Sequence, residues 1–291
     1  MTSRSFRDLV AEPGCLVVPA VYDALSARIA ERVGFRAVGL GGFLVAGSRL
    51  GGPDVGQLTM TEMVDHLRGL AGAVSIPVMA DADTGYGNPL NVRRTVQAYE
   101  AAGAQAIVLE DQHWPKKCGH IPGPRRVIPA AEHQKKLEAA LEARRDPGTM
   151  IIARTDARGP LGFDEAIHRA QAYVRTGADG IFLEALESEV EFRAAPAALP
   201  GVPLVANMFT TMHGGKSPPF TAAALAGMGY KVALWVVDAL WAAARAVEEV
   251  LTALHRDGTT AAVHDRLMPF DDYFALVGLA DHTALERRYP E

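Results

Sequence analysis

The sequence predicts an α/β fold, a (β/α)₈ barrel of the TIM type, on three observations. Four segments repeat one pattern: "VGFRAVGL" (33–40), "AGAQAIVL" (102–109), "TGADGIFL" (176–183) and "MGYKVALW" (228–235). Each sets a glycine after an Ala-rich helical stretch and before an apolar run, which suits a left-handed helix cap followed by a buried strand. Other apolar runs bring the candidate strands to eight. Helical patterns lie between most of them, and continuous apolar strands alternating with helices imply a parallel sheet. Eight such units at this length suit a closed barrel. An open doubly wound sheet fits less well, because no G-x-G-x-x-G opens a helix after a first strand.

In chain order the strand runs are "CLVVPA", "RAVGLGG", "IPVMADAD", "AQAIVLED", "MIIARTD", "DGIFLEA", "VPLVANM" and "KVALWVV". The clearest helical patterns are "NVRRTVQAYEAAG" (91–103) and "FDEAIHRAQAYVRTG" (163–177). The connection between the sixth and seventh strands is the weakest, because "PAALPG" breaks its pattern. Residues 239–291 read as a C-terminal helical extension outside the barrel count. No linker divides the chain, so residues 1–291 are expected to form one domain.

Composition narrows the function. The chain is 49% hydrophobic and 22% charged, with a formal net charge of -5. That mild acidity, with no basic block, argues against a nucleic-acid partner. No apolar run reaches the roughly 20 residues that span a bilayer, and "MTSRSFRDLVAEPG" lacks a signal-peptide core. Two cysteines, Cys15 and Cys118, make no disulfide framework, so a reducing cytoplasm is expected.

In a (β/α)₈ barrel, chemistry gathers at the C-terminal ends of the strands. Here those ends carry Asp81 and Asp83, Glu110 and Asp111, Arg154-Thr155-Asp156, Glu184 and Asn207, and the second loop adds Asp54. Asp81 and Asp83 are two apart, so on a strand both would share one face. Converging carboxylates repel unless a cation joins them, and hard oxygen donors point to Mg²⁺ or Mn²⁺ rather than zinc. Any single acid could instead cap a helix or pair with an arginine. The planar fork of Arg154 suits a substrate carboxylate or phosphonate, with a structural pair to Glu184 or Asp83 as the other reading. Asn207 can bond a second oxyanion.

Residues 112–129 form a long βα loop, expected to be a mobile part of the active site. It contains "WPKKCGHIPG" (114–123). The lack of a second Cys/His pair nearby argues against a zinc knuckle, and an inert surface cysteine is the other reading. A thiol beside Lys116, Lys117 and His120 is expected to have a depressed pKa, which suits acid–base work.

"KKCGH", together with "DADTGYGN", "LEDQ", "ARTDA" and "FLEA", resembles the isocitrate lyase/phosphoenolpyruvate mutase superfamily. The likeness is strongest to its short members, of the 2-methylisocitrate lyase, 2,3-dimethylmalate lyase and carboxyphosphonoenolpyruvate mutase types. It runs from about Phe6 to about Asp257. The resemblance implies Mg²⁺ near Asp81, with Asp54, Asp83 and Glu110 holding it directly or through water. It implies backbone contacts to substrate from Gly41, Gly42 and Phe43, and from Gly119 in a gating loop. Arg154, Glu184 and Asn207 would line the pocket. Cys118 would be the general acid/base, supported by Lys116 and His120. It also implies a C-terminal helix swapped between subunits of a homodimer or homotetramer. Two departures stand out. Gly41 occupies a place where members commonly carry Ser or Thr, and Phe209–His213 one where they often carry Glu, with Thr210 or His213 as substitutes. Both point away from ordinary methylisocitrate. The expected activity is a Mg²⁺-dependent carbon–carbon lyase that splits a substituted malate-type acid into pyruvate or a related keto acid. A phosphonomutase, an oxaloacetate-type hydrolase or decarboxylase and a non-catalytic binding barrel are the alternatives. A small di- or tricarboxylate or a phosphonate is the expected partner.

Overall fold

The computed structural model describes residues 4–289, apart from the side chain of His213. Eight parallel strands form one sheet: β1 (Leu16–Pro19), β2 (Val38–Leu40), β3 (Val78–Asp81), β4 (Ala104–Glu110), β5 (Met150–Thr155), β6 (Gly180–Leu183), β7 (Leu204–Asn207) and β8 (Val232–Trp235). Each lies within one of the predicted runs. Neighbours follow chain order, and β8 pairs with β1. The Val21 amide donates to the Gly39 carbonyl (2.8 Å), which brings β1 against β2 and nearly closes the ring.

The repeat glycines behave as their spacing requires. Gly34, Gly103, Gly177 and Gly229 have φ of 106°, 103°, 108° and 106°. A Cβ is strained in that left-handed region, so the helix-to-strand reversal selects glycine.

Strand alternation divides the core in two. Ala106 and Val108 of β4 pack inside the barrel with Val18, Met79, Ile152 and Phe182. Ile107 and Leu109 face outward into the layer between strands and helices. Both faces are buried, which is why the strands read as unbroken apolar runs. Phe6, Leu9 and Val10 join the interior group from a helix, Phe6–Ala11, that the sequence reading does not contain. Ser5 and Asp8 cap it reciprocally. The doubtful segment between β6 and β7 does form a helix, Glu189–Ala198. Ser188 caps its start and Pro196 lies near its end.

The C-terminal extension consists of helices Asp238–Asp257, Phe270–Leu276 and Leu279–Arg288. Large apolar side chains lie open along it, including Val247, Leu251 and Phe270 (74% exposed).

One buried group ties stability to pH. His133, on helix Ala130–Ala143, lies edge-on to Tyr173, with 4.8 Å between ring centroids. Burial lowers its pKa from 6.5 to about 4. Between those values the unfolded chain takes up a proton that the folded chain refuses. Stability should therefore fall as pH drops through this window, by on the order of 3 kcal/mol from this group. A His133→Leu variant should lose that part of the decline in urea midpoints, and an unchanged decline would clear His133.

Candidate active site

The C-terminal strand ends open into a cavity of about 60 Å³. Gly41, Gly42, Phe43, Asp54, Asp81, Cys118, His120, Arg154, Glu184 and Asn207 all line it. Tertiary folding thus brings ten of the predicted site residues to one space.

One wall is acidic. β3 ends at Asp81, and Asp83 lies beyond it with φ +46°. Strand alternation is therefore not what joins the two acids; a left-handed turn after the strand does. The Asp83 amide donates to Asp81 Oδ1 (3.0 Å), and the Gly42 amide to Asp81 Oδ2 (3.3 Å). A Cβ on Gly42 would come within 3.1 Å of both Asp83 Oδ1 and Lys116 Nζ, so this approach favours glycine. Lys116 is buried among the acids, its Nζ 2.7 Å from Asp54 Oδ1 and 2.7 Å from Asp83 Oδ1. Burial opposes its charge, but Asp83, Asp54, Glu110 and Asp81 outweigh that and raise its pKa well above the ordinary lysine value. Asp83 is pushed up to about 6, by burial first, with Lys116 opposing. Glu110 is fully buried. Neither carboxylate oxygen has a hydrogen-bond partner among the described residues, and burial raises its pKa well above the ordinary range.

Arg154 of β5 stands directly beside Glu110 of β4. Its Nε and Nη2 grip Asp156 Oδ2 and Oδ1 at 2.9 and 3.0 Å, and its guanidinium lies 5.2 Å over the Phe182 ring. Nη2 also stands 3.4 Å from Glu110 and 3.6 Å from Glu184. Arg154 thus pairs chiefly with Asp156 rather than with Glu184 or Asp83. Burial opposes ionisation of Glu184, yet Arg154, His120 and Asn207 more than offset it and hold its carboxyl below the usual range. The Lys216 amide donates to His120 Nδ1 (3.1 Å), so Nε2 carries the proton and gives it to Glu184 Oε1 (3.0 Å). Asn207 Nδ2 adds bonds to both Glu184 oxygens (3.3 and 3.2 Å).

The loop carrying Cys118 lies seated on the cavity. The Cys118 amide donates to the Asp54 carbonyl (3.2 Å), and Arg125 Nη1 reaches the carbonyls of Cys118, Gly119 and Ile121. The structure overturns the expected thiol acidity. Burial pushes Cys118 up to about 12, and Lys116 is spent on Asp54 and Asp83. Cys118 is therefore a neutral thiol at physiological pH, suited to donating a proton rather than attacking. Gly119 packs directly on Glu184, where a Cβ would come within 2.5 Å of Oε1.

Above the polar walls lies an aromatic one. Phe43 meets Phe209 and Trp241 edge-on, at 6.0 and 6.3 Å between centroids, and Phe209 stacks on His120 at 4.4 Å. Thr210 is turned away from the cavity, into a separate groove with Met208 and Phe220. The side chain of His213 lies outside the described residues. Asp111 also faces away: it accepts from Thr155, Arg169, Tyr173 and the Asp156 amide, and so fixes the end of β5. Sequence reasoning missed Gln112, Arg125 and Trp241. Gln112 could have been flagged by its place at the end of the fourth strand run. Nothing in the sequence marks the other two.

A (β/α)₈ barrel with a carboxylate cluster, a buried arginine and a thiol-bearing loop at one mouth defines an enzyme-like site for small organic anions. The phosphoenolpyruvate phosphomutase family model matches residues 6–255, and the chain belongs to that family. Over 288 residues it is 42% identical to 2,3-dimethylmalate lyase of Eubacterium barkeri, covering 99% of this chain and 98% of that protein. It is also 42% identical to 2-methylisocitrate lyase of Aeropyrum pernix, covering 95% of this chain and 87% of the relative. A solved phosphonopyruvate hydrolase in complex with oxalate and Mg²⁺ superposes with a TM-score of 0.88 at 33% identity, over the whole of both chains.

Proposed function

We propose that this protein is a Mg²⁺-dependent carbon–carbon lyase. Its substrate would be a malate-type 2-hydroxy acid with an apolar substituent. One observation carries the reading: a buried Cys118 thiol, its pKa raised by burial, faces a cavity that a carboxylate cluster and Arg154 also reach. Relatives named as lyases support it.

The donor set fits a divalent cation. Glu110 offers two buried oxygens that accept no hydrogen bond among the described residues, and Asp54, Asp81 and Asp83 gather with it around Lys116. Among the described residues no three His, Cys, Asp or Glu side chains are gathered so as to hold a metal ion. Mg²⁺ takes one or two carboxylates directly and keeps several waters. Bound there, it would supply positive charge where negative charge develops on the cleaved acid.

The chain's own residues do the rest. Arg154 holds a substrate carboxylate. The C2–C3 bond breaks as the C2 hydroxyl loses its proton to a neighbouring carboxylate and becomes the keto group. The bonding electron pair passes to C3 and its carboxylate, and Cys118 gives its proton to that carbon. Glu184, held ionised by Arg154, His120 and Asn207, orients His120 and Asn207. Phe43, Phe209 and Val236 line the part of the cavity left for a C3 substituent. No free cation faces that part among the described residues, which favours alkyl over carboxylate there.

Purified protein with Mg²⁺ should release pyruvate from at least one 3-alkyl-2-methylmalate, trapped as its phenylhydrazone, and EDTA should stop it. No turnover on any such acid, with phosphorus NMR changes on a phosphonate, would instead favour the mutase. We further read the open apolar side chains of the C-terminal helices as a surface covered by a second copy of the chain. A monomer in sedimentation would contradict that.

A further inference from the structure

Gln112 is buried directly after Glu110 and Asp111. All three polar ends of its amide are used. Nε2 donates to the Lys117 carbonyl (2.8 Å) and to Asp156 Oδ1 (2.9 Å), and Oε1 accepts from the Lys117 amide (3.0 Å). On one side it therefore holds both peptide groups of a residue adjacent to Cys118. On the other it holds the carboxylate that grips Arg154 through Nε and Nη2.

We propose that Gln112 couples the seating of the Cys118 loop to the orientation of Arg154. The proposal rests on the reading above, in which Cys118 donates the proton and Arg154 holds the substrate. Gln112 is then a positioning residue that acts through its neighbours. The backbone of Asp156 is already fixed, since its amide donates to Asp111 (2.9 Å). Its carboxylate is aimed by Arg154 from one side and Gln112 from the other. If the loop lifts, Lys117 departs and the Gln112 amide loses two of its three bonds. It can then rotate away from Asp156, leaving the Arg154 fork with a less constrained partner. Conversely, an anion on Arg154 favours the aligned Asp156, hence the aligned amide, hence the seated loop. Such coupling is reciprocal by thermodynamic necessity. Substrate arrival and delivery of the proton donor become one event, which keeps water from the carbanion.

The test uses two variants of the full chain and needs no turnover. Gln112→Leu keeps size and removes all three bonds. Gln112→Glu sets an acceptor against Asp156 Oδ1 or the Lys117 carbonyl, both acceptors themselves. Iodoacetamide labelling of Cys118 is read by peptide mass spectrometry, which separates it from Cys15. Oxalate affinity is measured by calorimetry in Mg²⁺. In the leucine variant, labelling should speed up about tenfold and oxalate should bind about tenfold more weakly. Saturating oxalate should protect Cys118 in the parent and much less in the variant. The glutamate variant should exceed the leucine variant on each count, at the cost of a lower thermal midpoint, and the far-UV circular dichroism of both should match the parent. If the leucine variant fails to fold, Gln112→Asn, too short to span both partners, takes its place. Faster labelling with oxalate affinity unchanged would make Gln112 a simple loop anchor and overturn the proposal. Unchanged labelling would overturn it as well. Failure of the lyase reading shows separately, as a parent protein without turnover.

Discussion

Cys118→Ser should lower keto-acid release by about a hundredfold to ten-thousandfold, the span of a lost general acid. Serine keeps nearly the size of the thiol, so the loop should still seat on Asp54, and oxalate affinity in Mg²⁺ should stay within about twofold. The structure adds a sign to this result. The pKa of Cys118 is pushed up to about 12 by burial, so its proton-bearing form persists throughout the neutral range. The rate of the parent should therefore show no rising limb from thiolate formation between about pH 6 and 9. Such a limb would mean that the thiolate is the working form. Undiminished turnover in the serine variant would remove Cys118 from the mechanism.

Arg154→Met should damage both catalysis and stability. The change keeps volume and strands three buried carboxylates, those of Glu110, Asp156 and Glu184. Leaving buried charge without its partner costs about 3–5 kcal/mol. The loss should read as a lower urea midpoint at pH 8, alongside a fall of at least about a hundredfold in kcat/KM. The pH dependence follows from linkage. The guanidinium lowers the pKa of all three acids, so without it their folded values rise. The folded variant then binds more protons than the folded parent, and its deficit should shrink as pH falls toward 5. A deficit that is flat across pH would assign the damage to packing instead. Arg154→Lys keeps the charge but loses the two-pronged grip on Asp156, so it should recover stability more than rate.

Much of this molecule is legible in its sequence, and particular residues show why. Gly34, Gly103, Gly177 and Gly229 each face a local steric demand, and the run after each is apolar because both faces of its strand are buried. Such constraints act within a few residues, so a single chain displays them. The C-terminal ends of the strands could be marked for the same reason, which is why ten candidate residues share one cavity. The helix Phe6–Ala11 escaped notice because it is short, and its apolar side chains are explained only by the barrel interior they enter. Thr210 looked like a ligand by position along the chain, yet the turn after Asn207 sends it to another groove and gives its place to Phe209.

The (β/α)₈ architecture, the mouth where chemistry gathers, and the Cys118 loop and Arg154 as candidates can all be read from the chain alone. The states of those pieces are set by contacts that form only on folding. Basic neighbours in sequence imply an acidic thiol, but the Lys116 ammonium is drawn 2.7 Å from Asp54 and Asp83 while the thiol itself is buried. Asp81 and Asp83 meet through a left-handed turn rather than a shared strand face. Gln112 acquires its place between Lys117 and Asp156 only when two loops close on one amide. The physical reason is common to all three. Periodicity and backbone preference are local and survive in one dimension, whereas desolvation and charge pairing depend on which distant groups share a low-dielectric space.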